Sequence, residues 1–311
     1  MTTSLITHPD CLDHVTPPGH PERVDRLTAI NDILSAGAFD ALDRHDAPLA
    51  TDGLILLAHP QRYIDRIRDT APDDGWAMLD GDTHMSPGSL NAALRAAGGN
   101  ALAVDQVMQG TAANAFVACR PPGHHAETET AMGFCLFGNV VIAARHALDA
   151  HGLSRVAILD FDVHHGNGTQ DLVWDDPRIH FSSSQQMPLY PGSGAAHERG
   201  AHDTIVNMPL APGAGGREFR AIWERQAFPA IDAFAPELIL ISAGFDAHAR
   251  DPLANLELVE DDFAWITHAI CDLADKHCDG RVVSTLEGGY DLVGLANSVA
   301  AHVSVLMERG A

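Results

Sequence analysis

Seven short apolar runs, rich in β-branched residues, punctuate the chain: Ser4–Thr7, Phe116–Cys119, Val156–Leu159, Ile179–Ser182, Thr204–Met208, Leu238–Ser242 and Val282–Thr285. Most are continuously apolar rather than alternating, the pattern of strands buried on both faces of a parallel sheet. Between them, apolar residues recur at helical spacing in Ser89–Met108, Gly138–Ala150, Phe263–Ala274 and Gly294–Met307. The alternation predicts an α/β fold with a mostly parallel sheet. No internal repeat or low-complexity linker interrupts it, which predicts one domain over residues 1–311.

In such sheets ligands gather outside the carboxyl ends of the strands, and the polar residues fall there. Phe116–Cys119 runs into Arg120-Pro-Pro-Gly-His-His-Ala-Glu127, and Val156–Leu159 into Asp160-Phe-Asp-Val-His-His-Gly-Asn167. Leu238–Ser242 runs into Ala243-Gly-Phe-Asp-Ala-His248, and Val282–Thr285 into Leu286-Glu-Gly-Gly-Tyr-Asp291. Asp162 and His164 stand two apart, so in extended backbone both point to one side and converge on a cation. With Asp246 they make two carboxylates and one imidazole with a fourth position open, the arrangement of a catalytic zinc site. The competing reading of Asp246 alone is a helix N-cap. His124 and His125 offer a general base and acid, with Asp160 and Asn167 as orienting partners; singly, each is as well read as a loop histidine with structural hydrogen bonds. Tyr290, after Gly288-Gly289, is placed to hydrogen-bond a developing oxyanion. His8, His14, His20 and His146 belong to no constellation in the sequence.

Composition narrows the partners. Across 311 residues, 46% hydrophobic, 19 Lys+Arg face 42 Asp+Glu for a net charge of −23. That balance excludes a disordered chain and argues against nucleic acid, which wants a basic stripe. No stretch reaches the ~20 apolar residues of a membrane span, and the first residues lack the pattern of a signal peptide. Five cysteines, none in a CxxC pair, fit a reducing compartment and a cytoplasmic location.

The motifs RPPGHHAE, GFCLFGN, DFDVHHGNGTQ, YPGSG, SAGFDAHARDP and LEGGY, with HPERVDRL at His20–Leu27, stand in this order and spacing over roughly residues 8 to 307. The chain thereby resembles the zinc-dependent deacetylases of the histone deacetylase superfamily, in the wording of its class II branch and of stand-alone bacterial members, which include deacetylase-like and acetylpolyamine amidohydrolases. The resemblance implies an arginase–deacetylase fold, an eight-stranded, mostly parallel sheet flanked by helices. It implies Zn²⁺ on Asp162, His164 and Asp246, His125 as general base and acid, His124 backed by Asp160 as its electrostatic partner, and Tyr290 on the acyl carbonyl. It also implies a structural K⁺ on the Asp160 and Ser183 side chains and the backbone carbonyls of Asp162, His164 and Ser184. Phe134 and Tyr190 would wall a narrow tunnel, and Asp82 would grip the substrate backbone.

The chain departs from the family in places. Tyr190 stands where many members have Phe, and Gln185 replaces a common His. Leu253 occupies the position where the polyamine-selective branch carries a gatekeeper Glu, which disfavours long polyamines but leaves short acetylated diamines open. The expected activity is removal of acetyl or a related acyl group from a primary amine, acetyl-lysine side chains first, with acetylpolyamines or other small acylated amines as the alternative. An arginase-like binuclear manganese hydrolase needs a DxD after the late strand, where Asp246-Ala-His248 stands instead. A non-catalytic sensor of an acylated ligand is disfavoured by the complete set of ligands, histidines and tyrosine. Homo-oligomerisation stays open.

Overall fold

The computed structural model describes residues 2–311. In it the apolar runs become strands with helices packed over them. The strands are β1 (Thr3–Thr7), β2 (Asp43–Asp46), β3 (Ala77–Met78), β4 (His84–Met85), β5 (Asn114–Val117), β6 (Val156–Asp160), β7 (Ile179–Gln186), β8 (Ile205–Leu210), β9 (Leu238–Ala243) and β10 (Val282–Leu286). Eight form one sheet in the order β2-β1-β5-β10-β9-β6-β7-β8, with every neighbouring pair parallel. β3 and β4 make a separate antiparallel pair.

Every residue of the central strands β6, β9 and β10 is buried, as unbroken Val/Ile/Leu runs require. The helices Ser89–Met108 and Asn139–Ala150 pack on each other and on these strands, while Val24–Leu34, Glu260–His277 and Leu292–Gly310 form a second helical group. No helix among the described residues is long and apolar enough to cross a membrane.

Three features depart from the sequence expectation. β2, Asp-Arg-His-Asp, pairs in parallel with β1 at the sheet edge, where charged side chains face water and leave no hydrophobic pattern to find. β7 runs past Ser182 through Ser183-Ser184-Gln185-Gln186, all buried. Those polar residues are satisfied locally: Ser183 Oγ donates to Gln185 Oε1 at 2.9 Å, Gln185 Nε2 to the Gly194 carbonyl at 2.6 Å, and Trp223 Nε1 to Ser184 Oγ at 3.0 Å. The run Phe116–Cys119 forms a strand only to Val117, preceded by Asn114 and Ala115.

A buried charge cluster joins the segments behind the strand ends. Glu22, Arg26 and Arg120 are fully buried. Arg120 Nη2 donates to Glu22 Oε2 at 2.6 Å and Arg26 Nη1 to Glu22 Oε1 at 3.0 Å. Arg26 also donates to the carbonyls of Gly289 at 2.6 Å and Glu287 at 2.5 Å, which fixes the loop before Tyr290. Burial alone would raise the Glu22 carboxyl, but Arg120 and His14 hold it well below its ordinary 4.5. A depressed folded value means that stability is present above about pH 4.5 and is lost as pH falls toward the folded value. Glu22→Ala strands two guanidinium groups and is expected to destabilise the protein by about 3–5 kcal/mol in urea unfolding. Glu22→Gln is expected to flatten the acid limb of the melting temperature against pH.

Candidate metal centre and active site

Each polar segment leaves the carboxyl end of a strand. Asp160 is the last residue of β6, and Asp162 and His164 follow it; Asp246 follows β9, and Glu287–Tyr290 follow β10. Asp162, His164 and Asp246 bring one ligand atom each to within 4.8 Å of one another, all buried. His164 Nδ1 lies 3.0 Å from Asp246 Oδ2 and 3.2 Å from Asp162 Oδ1. Backbone amides orient the carboxylates: Val163 N donates to Asp246 Oδ1 at 2.8 Å, and Gly288 N to Asp162 Oδ2 at 2.8 Å. Only glycine fits at 244 and 288. A Cβ at Gly244 would occupy the place of the Asp162 carboxylate, and one at Gly288 that of Asp246 Oδ2.

The donor set fits a divalent cation. Two carboxylates and one imidazole converge in a buried place. Burial and Asp162 push the Asp246 carboxyl up to about 7, the mark of negative charge without enough positive charge beside it. A monovalent cation also finds donors nearby. No hydrogen bond among the described residues reaches the carbonyl oxygens of the buried Asp162 and His164, against the usual pairing of buried carbonyls.

His124 and His125 stand side by side, ring centroids 4.0 Å apart, with different partners. His124 Nδ1 lies 3.0 Å from Asp160 Oδ2, and His125 Nδ1 lies 2.7 Å from Asn167 Oδ1. Burial opposes a charged His124, yet Asp162 and Asp160 raise it well above its ordinary value. Burial, then His124 and His164, hold His125 well below, so it is neutral. A cavity of about 230 Å³ is lined by His125, His164, Tyr290, Phe134, Tyr190, Leu253 and Asp82, together with Gly133 and Leu189. Phe134 takes a left-handed φ of +70° after Gly133 at +55°. Its amide donates to Thr83 Oγ1 at 3.0 Å, and its ring meets Tyr290 edge-on at 5.8 Å. Such strain in a bulky residue is a local cost that surrounding contacts hold in place. His248 turns elsewhere, accepting from the Arg250 amide at 3.1 Å and stacking on Phe263.

Two carboxylates that the sequence reading passed over hold the loops of the site. Glu287 Oε2 accepts from the amides of Gly123 at 2.7 Å and His124 at 3.1 Å. Asp251 accepts from the amides of Tyr290 at 2.7 Å and Leu253 at 3.0 Å. Both lie inside motifs quoted above, Glu287 in LEGGY and Asp251 in SAGFDAHARDP. His20, given no role, packs edge-on against Phe134 at 4.8 Å and bonds to the Asp82 carbonyl at 2.9 Å.

A family model described as a histone deacetylase domain matches residues 20–306. A probable deacetylase of Archaeoglobus fulgidus is 38% identical, over 94% of this chain and 83% of the relative. A histone deacetylase-like amidohydrolase of Pseudomonas aeruginosa is 39% identical, over 89% and 74%. Among solved structures, the crystal structure of the HDA15 HD domain superposes with a TM-score of 0.93 at 32% identity, covering 99% of this chain and 88% of that one.

The crowding at Gly288 gives a direct test. Gly288→Ala is expected to cost about 1–3 kcal/mol by overpacking and to disrupt the Asp162–His164–Asp246 cluster as a divalent-cation site, read by thermal unfolding and metal titration.

Proposed function

The chain belongs to the histone deacetylase family, a family of hydrolases, and from that premise we propose that it is a zinc-dependent deacylase of N-acetyl amines, acetyl-lysine side chains first. The observation that carries the reading is the Asp162–His164–Asp246 cluster beside a narrow cavity lined by His125 and Tyr290. Bound there, Zn²⁺ supplies Lewis acidity toward the acyl carbonyl and a water of lowered pKa. K⁺ is proposed at Asp160, Ser183 and the carbonyls of Asp162, His164 and Ser184, as a fixed charge behind the histidines.

The chain's own residues do the rest. His125 lines the cavity and is neutral, so it accepts the proton of the attacking water and returns it to the leaving amine. Asn167, at His125 Nδ1, fixes the ring, and its uncharged amide raises the imidazole too little to offset burial and the neighbouring His124 and His164. His124, kept charged by Asp162 and Asp160, is the electrostatic partner outside the cavity lining. Burial keeps the Tyr290 phenol well above its ordinary value, so it remains a donor to the oxyanion. Phe134 and Tyr190 flank the methylene stem and exclude water, and Leu253 offers no charge at the rim. Asp82 is a carboxylate in the cavity lining, a feature that favours substrates carrying a positive charge at the end remote from the acyl group. Short acetylated diamines are the second reading on that ground.

His125→Ala is expected to lower kcat/KM by about 10²–10⁴-fold and Tyr290→Phe by about 10²–10³-fold. Asp246→Ala, a chelator or a hydroxamate is expected to abolish turnover, and full activity in any of these cases would overturn the mechanism. On the zinc-loaded protein, kcat/KM for an acetyl-lysine peptide is expected to exceed that for N-acetylputrescine; the reverse would assign the site to small amines.

A further inference from the structure

A second group of ligand-type side chains meets between two helices, away from the cavity. Asp105 lies in the last turn of the helix Ser89–Met108, His146 lies on Asn139–Ala150, and His151 is the residue that caps the latter. The Nε2 atoms of His146 and His151 each lie 2.7 Å from one and the same oxygen, Oδ1 of Asp105. The two rings meet edge-on with centroids 5.7 Å apart, and one ligand atom from each of the three residues lies within 4.8 Å of the others. On a continuous helix, residues five apart face directions about 140° apart. His151 has left helical geometry, with φ −106° and ψ 0°, and so comes round to the carboxylate that His146 faces.

Hydrogen bonding alone is equally served by two donors spread over both carboxylate oxygens. Convergence of both rings on one oxygen gathers three ligand atoms around one point, which is what a cation requires. The two imidazoles are largely covered, His146 at 19% and His151 at 17% exposed, while the Asp105 carboxylate is open to solvent at 38%. One side opens onto a groove of about 530 Å³ whose polar lining includes Asp105, His146 and Asp149, giving access for an ion and room for waters. Two imidazoles and a carboxylate favour Zn²⁺, Ni²⁺ or Cu²⁺ over Mg²⁺ and Ca²⁺.

We propose that Asp105, His146 and His151 form a second metal site that takes a divalent transition-metal ion such as Zn²⁺. The ion links two adjacent helices of one layer and stabilises the folded chain by mass action. None of the three residues lines the Tyr290 cavity, so the site is independent of turnover.

The test counts zinc per chain after dialysis of the zinc-loaded protein against micromolar free Zn²⁺ near neutral pH. The wild type is expected to hold two equivalents and Asp246→Ala one. The His146→Ala/His151→Ala double variant is expected to hold one and to keep full deacetylase activity. Asp105→Asn, which preserves shape, is expected to lose the same equivalent, so the result does not hang on how the double variant folds. Between one and two equivalents the wild-type melting temperature should rise, and that of the double variant should not. A single equivalent in the wild type that Asp246→Ala removes, or a second equivalent retained by both Asp105→Asn and the double variant, overturns the proposal. Loss of the equivalent removed by Asp246→Ala speaks only to the site at the strand ends.

Discussion

Five carboxyl groups, Asp160, Asp162, Asp246, Asp251 and Glu287, are buried together at and just past the ends of β6, β9 and β10, and the rest of the site is arranged to keep them there. A carboxylate taken out of water costs several kcal/mol unless hydrogen bonds and opposite charge meet it. Backbone amides meet part of that need, from Val163, Gly288, Gly123, His124, Tyr290 and Leu253. Positive charge must meet the remainder, and the protein alone falls short. Burial pushes Glu287 up to about 7, and although burial lowers a histidine, Asp162 and Asp246 draw His164 up to about 10. Cations at the strand ends would supply the missing charge, and that need is the physical basis for proposing both Zn²⁺ and K⁺.

The same constraint separates the two histidines. They are chain neighbours with nearly equal burial, yet one faces a carboxylate and the other an amide oxygen. Asp162 and Asp160 raise the first against its burial, while burial and the neighbouring His124 and His164 hold the second down, so two adjacent imidazoles are pushed in opposite directions. Behind them, Arg26 and Arg120 on Glu22 tie the early helix to the loops of His124 and Tyr290. The placement of the His124 and Tyr290 loops therefore depends on a charge cluster that does not line the cavity.

Much of this was legible in the sequence because the chemistry sits in contiguous segments after strands whose burial on both faces leaves an unbroken apolar run. Asp162 and His164 lie together, His124 and His125 stand side by side, and Phe134 and Tyr190 line one cavity, all within motifs that the sequence displays. The edge strand β2 was not legible, since it buries nothing. Nor were Arg26, Glu287 and Asp251, whose work is to bond backbone atoms far along the chain, an interaction with no sequence pattern of its own. His146 went unassigned for a different reason. Its neighbours Asp105 and His151 reach it only because two helices pack side by side and one of them ends where it does.

The most direct test of the central claim is acetate release from an acetyl-lysine peptide during titration of metal-free protein with Zn²⁺. Activity should be absent before zinc, rise in proportion to the equivalent held by Asp162, His164 and Asp246, and stay level as further zinc binds. Turnover that is complete without metal, or that never appears when the cluster is filled, would contradict the account.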